Sequence, residues 1–144
     1  MSLSGGPEPE MPVPSVARQS DGISHGVSAS RVIAMSMTEA RLQALVVDAA
    51  LKLRWLVHHC RPAQNRNGRW STPIQGSPGF CDLVLVHARM SEVVYAELKR
   101  EGGKTTPEQD EWLHCLRAAG QRAYVWFPSD WVSGRIQAVL EGVR

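Results

Sequence analysis

Two apolar runs joined by a very short link constrain this chain more than any other feature. Gly79-Phe80-Cys81-Asp82-Leu83-Val84-Leu85-Val86-His87 is followed almost at once by Glu92-Val93-Val94-Tyr95-Ala96-Glu97-Leu98-Lys99. Both are rich in β-branched and aliphatic residues, and a link as short as His87 to Ser91 suits a hairpin, so the runs read as paired antiparallel strands. Centring the turn between Arg89 and Met90 sets Asp82 directly opposite Glu97. Directly opposed residues share a sheet face with Cβ atoms roughly 4.5–5.5 Å apart. Two carboxylates so placed can grip one small cation. Lys99, two residues beyond Glu97, points to that same face. Without a cation the cluster is costly to bury, because like charges at that separation resist joint ionisation.

The rest of the chain supplies elements for both sides of such a hairpin. Residues 1–35 hold Pro7, Pro9, Pro12 and Pro14 with several Gly and Ser and no sustained apolar period, which is the composition of a disordered tail. Residues 36–144 are the expected domain. From Thr38 to about Arg54, Leu42, Leu45, Val46, Ala49, Ala50 and Leu53 recur at three- and four-residue spacing and give one apolar helix face. Glu39 lies in the first turn, where Ser36-Met37-Thr38-Glu39 matches a capping box. Trp55 to Cys60 reads as a strand. Arg61 to Pro78 is a long loop carrying Arg61, Arg66 and Arg69 around Trp70, a mixture suited either to nucleic-acid contact or simply to solvation.

Beyond the hairpin, Arg100-Glu101-Gly102-Gly103-Lys104 reads as a mobile basic turn. Thr106-Pro107-Glu108-Gln109 is then a strong helix start, with Thr at the N-cap, Pro at the first helical position and Gln at the third. That helix runs to about Ala119, and Gly120 stops it. Gln121 to Phe127 is a further strand, brought parallel to Glu92–Lys99 by the helical crossover. Pro128-Ser129-Asp130 opens a last helix to about Leu140, weakened by Gly134. The order is α-β-β-β-α-β-α, an α/β chain with mixed α+β character whose small mixed sheet is flanked by helices.

Bulk properties exclude more than they identify. The 144 residues suffice for one domain and not for two comfortable ones. A formal charge of +2 and a pI near 8.6 are too mild to announce a nucleic-acid binder by themselves. Cys60, Cys81 and Cys115 are odd in number and never paired as C-x-x-C, which argues against a disulfide framework and for a reducing, cytoplasmic setting. A zinc site at His58, His59 and Cys60 is disfavoured, since neighbours on a strand face opposite ways and no second ligand pair has suitable spacing. No stretch approaches the roughly 18 apolar residues of a membrane span.

An Asp followed one strand later by Glu-x-Lys is what a metal-dependent phosphodiesterase needs: carboxylates for Mg²⁺ or Mn²⁺ and an amine to orient water or offset charge. Taken alone the pattern is weak. In context, Gly79-Phe80-Cys81-Asp82-Leu83-Val84-Leu85-Val86, Tyr95-Ala96-Glu97-Leu98-Lys99-Arg100, Gly103-Lys104, Pro107-Glu108-Gln109 and Trp112-Leu113 resemble the VRR-NUC branch of the PD-(D/E)xK nuclease superfamily. The resemblance spans about Thr38 to Leu140. It implies a restriction-endonuclease-like core and a Mg²⁺- or Mn²⁺-dependent DNA endonuclease. Through the small stand-alone members of phages and bacteria, which are similar to Holliday junction resolvases, it further implies branched or structured DNA as substrate and a homodimer.

Position by position, the resemblance makes Asp82 and Glu97 metal-binding carboxylates, Lys99 the active-site lysine, Glu39 the acid of the first helix and Gln109 the glutamine of the next. Leu98 would add its backbone carbonyl to the metal shell. Glu39 thus has two readings, metal-site acid or helix cap, and Gln109 likewise. Arg61, Arg66, Arg69, Arg100 and Lys104 are candidates for DNA phosphates. Cys81 stands where the family usually has proline, a change in backbone stiffness and not in chemistry. The alternative function is a non-catalytic DNA-binding or assembly module on the same fold.

Overall fold

The hairpin forms with the expected register. In a computed structural model, which describes residues 28–59, 63–64, 68, 70–71 and 75–143, strand β4 (Leu83–His87) pairs antiparallel with β5 (Glu92–Leu98), Leu83 facing Ala96 and His87 facing Glu92. A 3₁₀ turn at Ala88–Met90 makes the connection, and Ser91 takes the left-handed conformation (φ 52°) that lets the chain reverse. One further step along this register sets Asp82 against Glu97.

Strand β1 (Leu56–His59) adds antiparallel to β4, and β6 (Arg122–Trp126) adds parallel to β5, giving the sheet order β1-β4-β5-β6. The parallel pair needs a crossover, supplied by helix α3 (Pro107–Ala118). Its start is the expected capping box: Thr106 accepts from the Gln109 backbone N–H, and the Gln109 side chain accepts from the Thr106 N–H.

The two sheet faces are covered differently. On one, Leu42, Val46 and Ala50 of helix α2 (Glu39–Lys52), with Ile136 and Leu140 of helix α5 (Arg135–Leu140), bury Leu83, Leu85, Val94, Ala96 and Leu98. Trp55 closes this core, and its indole N–H donates to the Leu140 carbonyl at 2.9 Å. On the other face, Leu113 and Leu116 of α3 meet Cys81, Ala123, Tyr95 and Val125. This second layer is small, and its open end leaves room for polar side chains.

Four expectations need correction. Residues 29–35, given to the tail, belong to helix α1 (Ala29–Ser36), capped by the Ser28 side chain and packed on helix α4 (Pro128–Val132). Only Ala34 of α1 is buried, while Val32, Ile33 and Met35 are exposed, so no apolar period announces this helix. The remainder of the tail lies outside the described residues. The long loop contains a two-stranded hairpin, β2 (Ala63–Gln64) with β3 (Trp70–Ser71), whose strands are too short to show alternation. The last helix is two helices, α4 and α5, because Gly134 adopts φ 81° between them. The turn after β5 is tied down, since the Glu101 carboxylate accepts from Ser129 N at 3.0 Å and Ser129 Oγ at 3.1 Å, and Gly103 N donates to Arg100 O.

Candidate active site

Glu97 is the one buried charged side chain among the described residues, 1 % exposed. It comes from the second-layer face of β5, whose alternate residues Val94, Ala96 and Leu98 go to the opposite core. Its Oε1 accepts from Lys99 Nζ at 2.6 Å and from Gln109 Nε2, while its Oε2 is buried without any hydrogen-bond partner. A carboxylate oxygen stranded in that way is costly. Asp82, immediately before β4, sits across the register and accepts from the Leu98 backbone N–H at 2.8 Å, which orients its carboxylate.

The electrostatics follow from this packing. Burial pushes the Glu97 carboxyl up to about 7; the Lys99 hydrogen bond opposes the shift, and the charges of Asp82 and Glu39 add to it. For Lys99, burial works against the charge, but the bond and attraction from Glu97, joined by Glu39 and Asp82, outweigh it and hold the pKa above its usual value. Cys81, buried with Leu113 of α3 and Ala123 of β6, has its thiol pushed up to about 11, chiefly by burial and then by the charges of Glu97 and Asp82. It is therefore a neutral thiol near pH 7, unsuited to nucleophilic or zinc chemistry.

The expected site residues are distributed unevenly around this cluster. Asp82, Glu97, Lys99 and Gln109 converge. The Gln109 amide is shared, its oxygen accepting from the Thr106 N–H at the cap and its nitrogen donating to Glu97. Glu39 is the first residue of α2, exposed, and close enough for its charge to bear on Glu97 and Lys99. The capping-box reading of Glu39 is overturned: Thr38, not Ser36, caps α2, accepting from Arg41 N, and the Ser36 hydroxyl donates to Ile33 O. The Leu98 side chain is buried in the core, so only its backbone is available to the site. Arg100 and Lys104 are exposed on the turn leading out of β5. Arg61, Arg66 and Arg69 lie outside the described residues.

No three His, Cys, Asp or Glu side chains among the described residues gather tightly enough to hold a metal by themselves. The zinc reading gains nothing from this: the His59 ring nitrogen Nδ1 is hydrogen-bonded to Gln43 Nε2 at 3.3 Å. Two carboxylates, one of them with an unpartnered buried oxygen, are hard donors of the kind that fit a divalent cation keeping part of its water.

A family model, the VRR-NUC domain, matches residues 27–126. The chain belongs to the VRR-NUC family. It thereby falls in the PD-(D/E)xK superfamily, and membership implies a nuclease-type function acting on DNA, in a family that usually uses divalent metals. A solved structure described as a VRR_NUC domain shares the fold, with 22 % identity, a TM-score of 0.52, and coverage of 70 % of this chain and 97 % of that one. No curated protein matches. Among the described residues, no helix is long and apolar enough to cross a membrane.

Two residues beside the site, Gly79 and Trp112, were quoted for the family resemblance but given no role in the site. A glycine between Pro78 and Phe80, just ahead of a strand, is the signal that a backbone passes close to something.

Proposed function

We propose that this VRR-NUC chain is a Mg²⁺- or Mn²⁺-dependent DNA endonuclease that hydrolyses phosphodiester bonds. The observation that carries the reading is the Glu97 carboxylate, buried at the end of an apolar hairpin with Oε2 unpartnered, across the register from Asp82. Burying a carboxylate this way is disfavoured unless something completes it. Asp82, Glu97, the Leu98 carbonyl and, from the mouth of the site, Glu39 are the groups that would hold the ion. When bound, it supplies Lewis acidity toward the scissile phosphate and the attacking water.

The remaining work falls to side chains of this chain. Lys99, held cationic by its partners, offsets negative charge accumulating on the phosphate. Gln109 keeps Glu97 in one orientation while bracing the first turn of α3. Arg100 and Lys104, exposed on a tied turn, are placed to take backbone phosphates on the flank of the site. Branched or structured DNA as the substrate, a twofold dimer that offers two sites for symmetric cutting, and a cytoplasmic setting complete the reading, and rest on the likeness to junction resolvases and on cysteine usage.

The test is cleavage of labelled four-way, flap and linear duplex DNA in Mn²⁺, Mg²⁺ or chelator, wild type beside Glu97→Gln. Metal-dependent cutting that disappears in the variant is expected. Binding without cutting on every substrate would replace the reading with a non-catalytic DNA-binding module.

A further inference from the structure

The backbone of residues 78–80 lies directly on the first turn of α3. A Cβ built on Gly79 would stand 2.5 Å from the Glu108 carbonyl carbon, 2.7 Å from its Cβ and 2.8 Å from the Gln109 nitrogen. Two of these three are main-chain atoms and cannot swing aside. Gly79 also has φ +87°, a conformation that L side chains rarely adopt. The residues on either side of it are held by one side chain: the Trp112 indole N–H donates to Pro78 O at 2.9 Å, and its ring meets Phe80 edge to face at 4.9 Å. Glu108 and Trp112 are four apart and share one face of α3. The 78–80 strap therefore docks on a single stripe of that helix, and it ends two residues before Asp82.

This contact bears on the site through Gln109. Glu97 sits on β5 and Gln109 on α3, so the bond between them depends on how closely the first turn of α3 approaches the sheet. Moving from 2.5 Å to the 3.4 Å at which ordinary contact begins would push that turn back by about 0.9 Å. Lengthened by that amount, the Gln109–Glu97 bond leaves the roughly 2.7–3.2 Å range of a well-formed N–H···O bond and weakens. We infer that Gly79, clamped by Trp112, is a positioning device that seats α3 so that Gln109 reaches Glu97 while Asp82 stays across the register. The inference rests on the nuclease reading for its consequence in catalysis, and on geometry alone for the seating.

The test compares Gly79→Ala and Trp112→Phe with wild type. In a proton–nitrogen spectrum of the metal-free protein, the side-chain amide signals of Gln109, assigned by their loss in Gln109→Ala, should be dispersed and slow to exchange. In Gly79→Ala they should move to the position of a solvated amide. Cleavage at saturating DNA should fall by about 100-fold, while DNA affinity stays unchanged, a split that general destabilisation would not produce. Trp112→Phe keeps an aromatic ring against Phe80 and removes the hydrogen bond to Pro78 O, so it should shift both readouts the same way by a smaller factor. A folded Gly79→Ala with wild-type Gln109 signals or a wild-type cleavage rate overturns the inference. Should Gly79→Ala not fold, the same two readouts in Trp112→Phe decide. If wild type cuts no DNA, the nuclease reading fails, and the amide signals still decide the seating.

Discussion

Replacing Glu97 by glutamine should stabilise the metal-free protein above pH 7 while removing its activity. Burial raises the Glu97 carboxyl from 4.5 to about 7 in the folded chain. Between those values the folded state holds a proton that the unfolded state has released, so the free energy of unfolding falls as pH rises. A shift of this size corresponds to about 3 kcal/mol, lost across that window and fully absent above it. Glutamine does not titrate. Its amide can keep an oxygen toward Lys99, and its nitrogen replaces an oxygen that has no partner in any case, so differences in hydrogen bonding enter as a constant offset. The stability of Glu97→Gln relative to wild type should therefore rise with pH, by about 3 kcal/mol from pH 4.5 to above 7, every other acid being common to both proteins.

Urea unfolding in chelator at half-unit steps from pH 4.5 to 8.5 measures this directly. Adding Mn²⁺ at about a hundred times its dissociation constant should then raise wild-type stability above pH 7 by about 2.7 kcal/mol and leave the glutamine variant unmoved. Stability curves that run parallel in pH would refute the claim that Glu97 is buried as an unsatisfied charge. A manganese response of equal size in both proteins would refute its place in the metal site.

Two further outcomes follow from the surroundings of the site. Lys104→Ala should weaken DNA binding uniformly across sequences and reduce the slope of log affinity against log salt by about 1; an unchanged slope in filter-binding or anisotropy titrations would remove this turn from the DNA surface. Alkylation by iodoacetamide at pH 8 should label exposed Cys115 and spare Cys81, which is buried and has its thiol raised to about 11. Peptide mass spectrometry that finds Cys81 modified in the folded protein would show that the layer under α3 opens.

How much of the molecule was legible in advance depends on the range of each interaction. The hairpin register followed from a short link and the period of two, and this alone set Asp82 against Glu97. The Thr106–Gln109 cap is a matter of four consecutive residues, and it was equally readable. Helix α1 was not, because its one buried residue is an alanine and its contact partner, α4, lies about a hundred positions away. The cap of α2 was placed two residues early, since Ser36 and Thr38 offer the same hydroxyl chemistry and the chain's path alone selects Thr38.

The sequence by itself determined the hairpin, helices α2 and α3, the crossover strand, the paired acids and the lysine, because periodicity, turn length and capping act between near neighbours. Only the tertiary structure decided that Glu97 is sealed from water with one oxygen unpartnered, that Gln109 is shared between a cap and the site, and that α3 rests on the bare backbone of Gly79. Each of these is a distance between segments far apart in the chain. Such distances are set by how two packed layers close on a sheet, which no local pattern encodes.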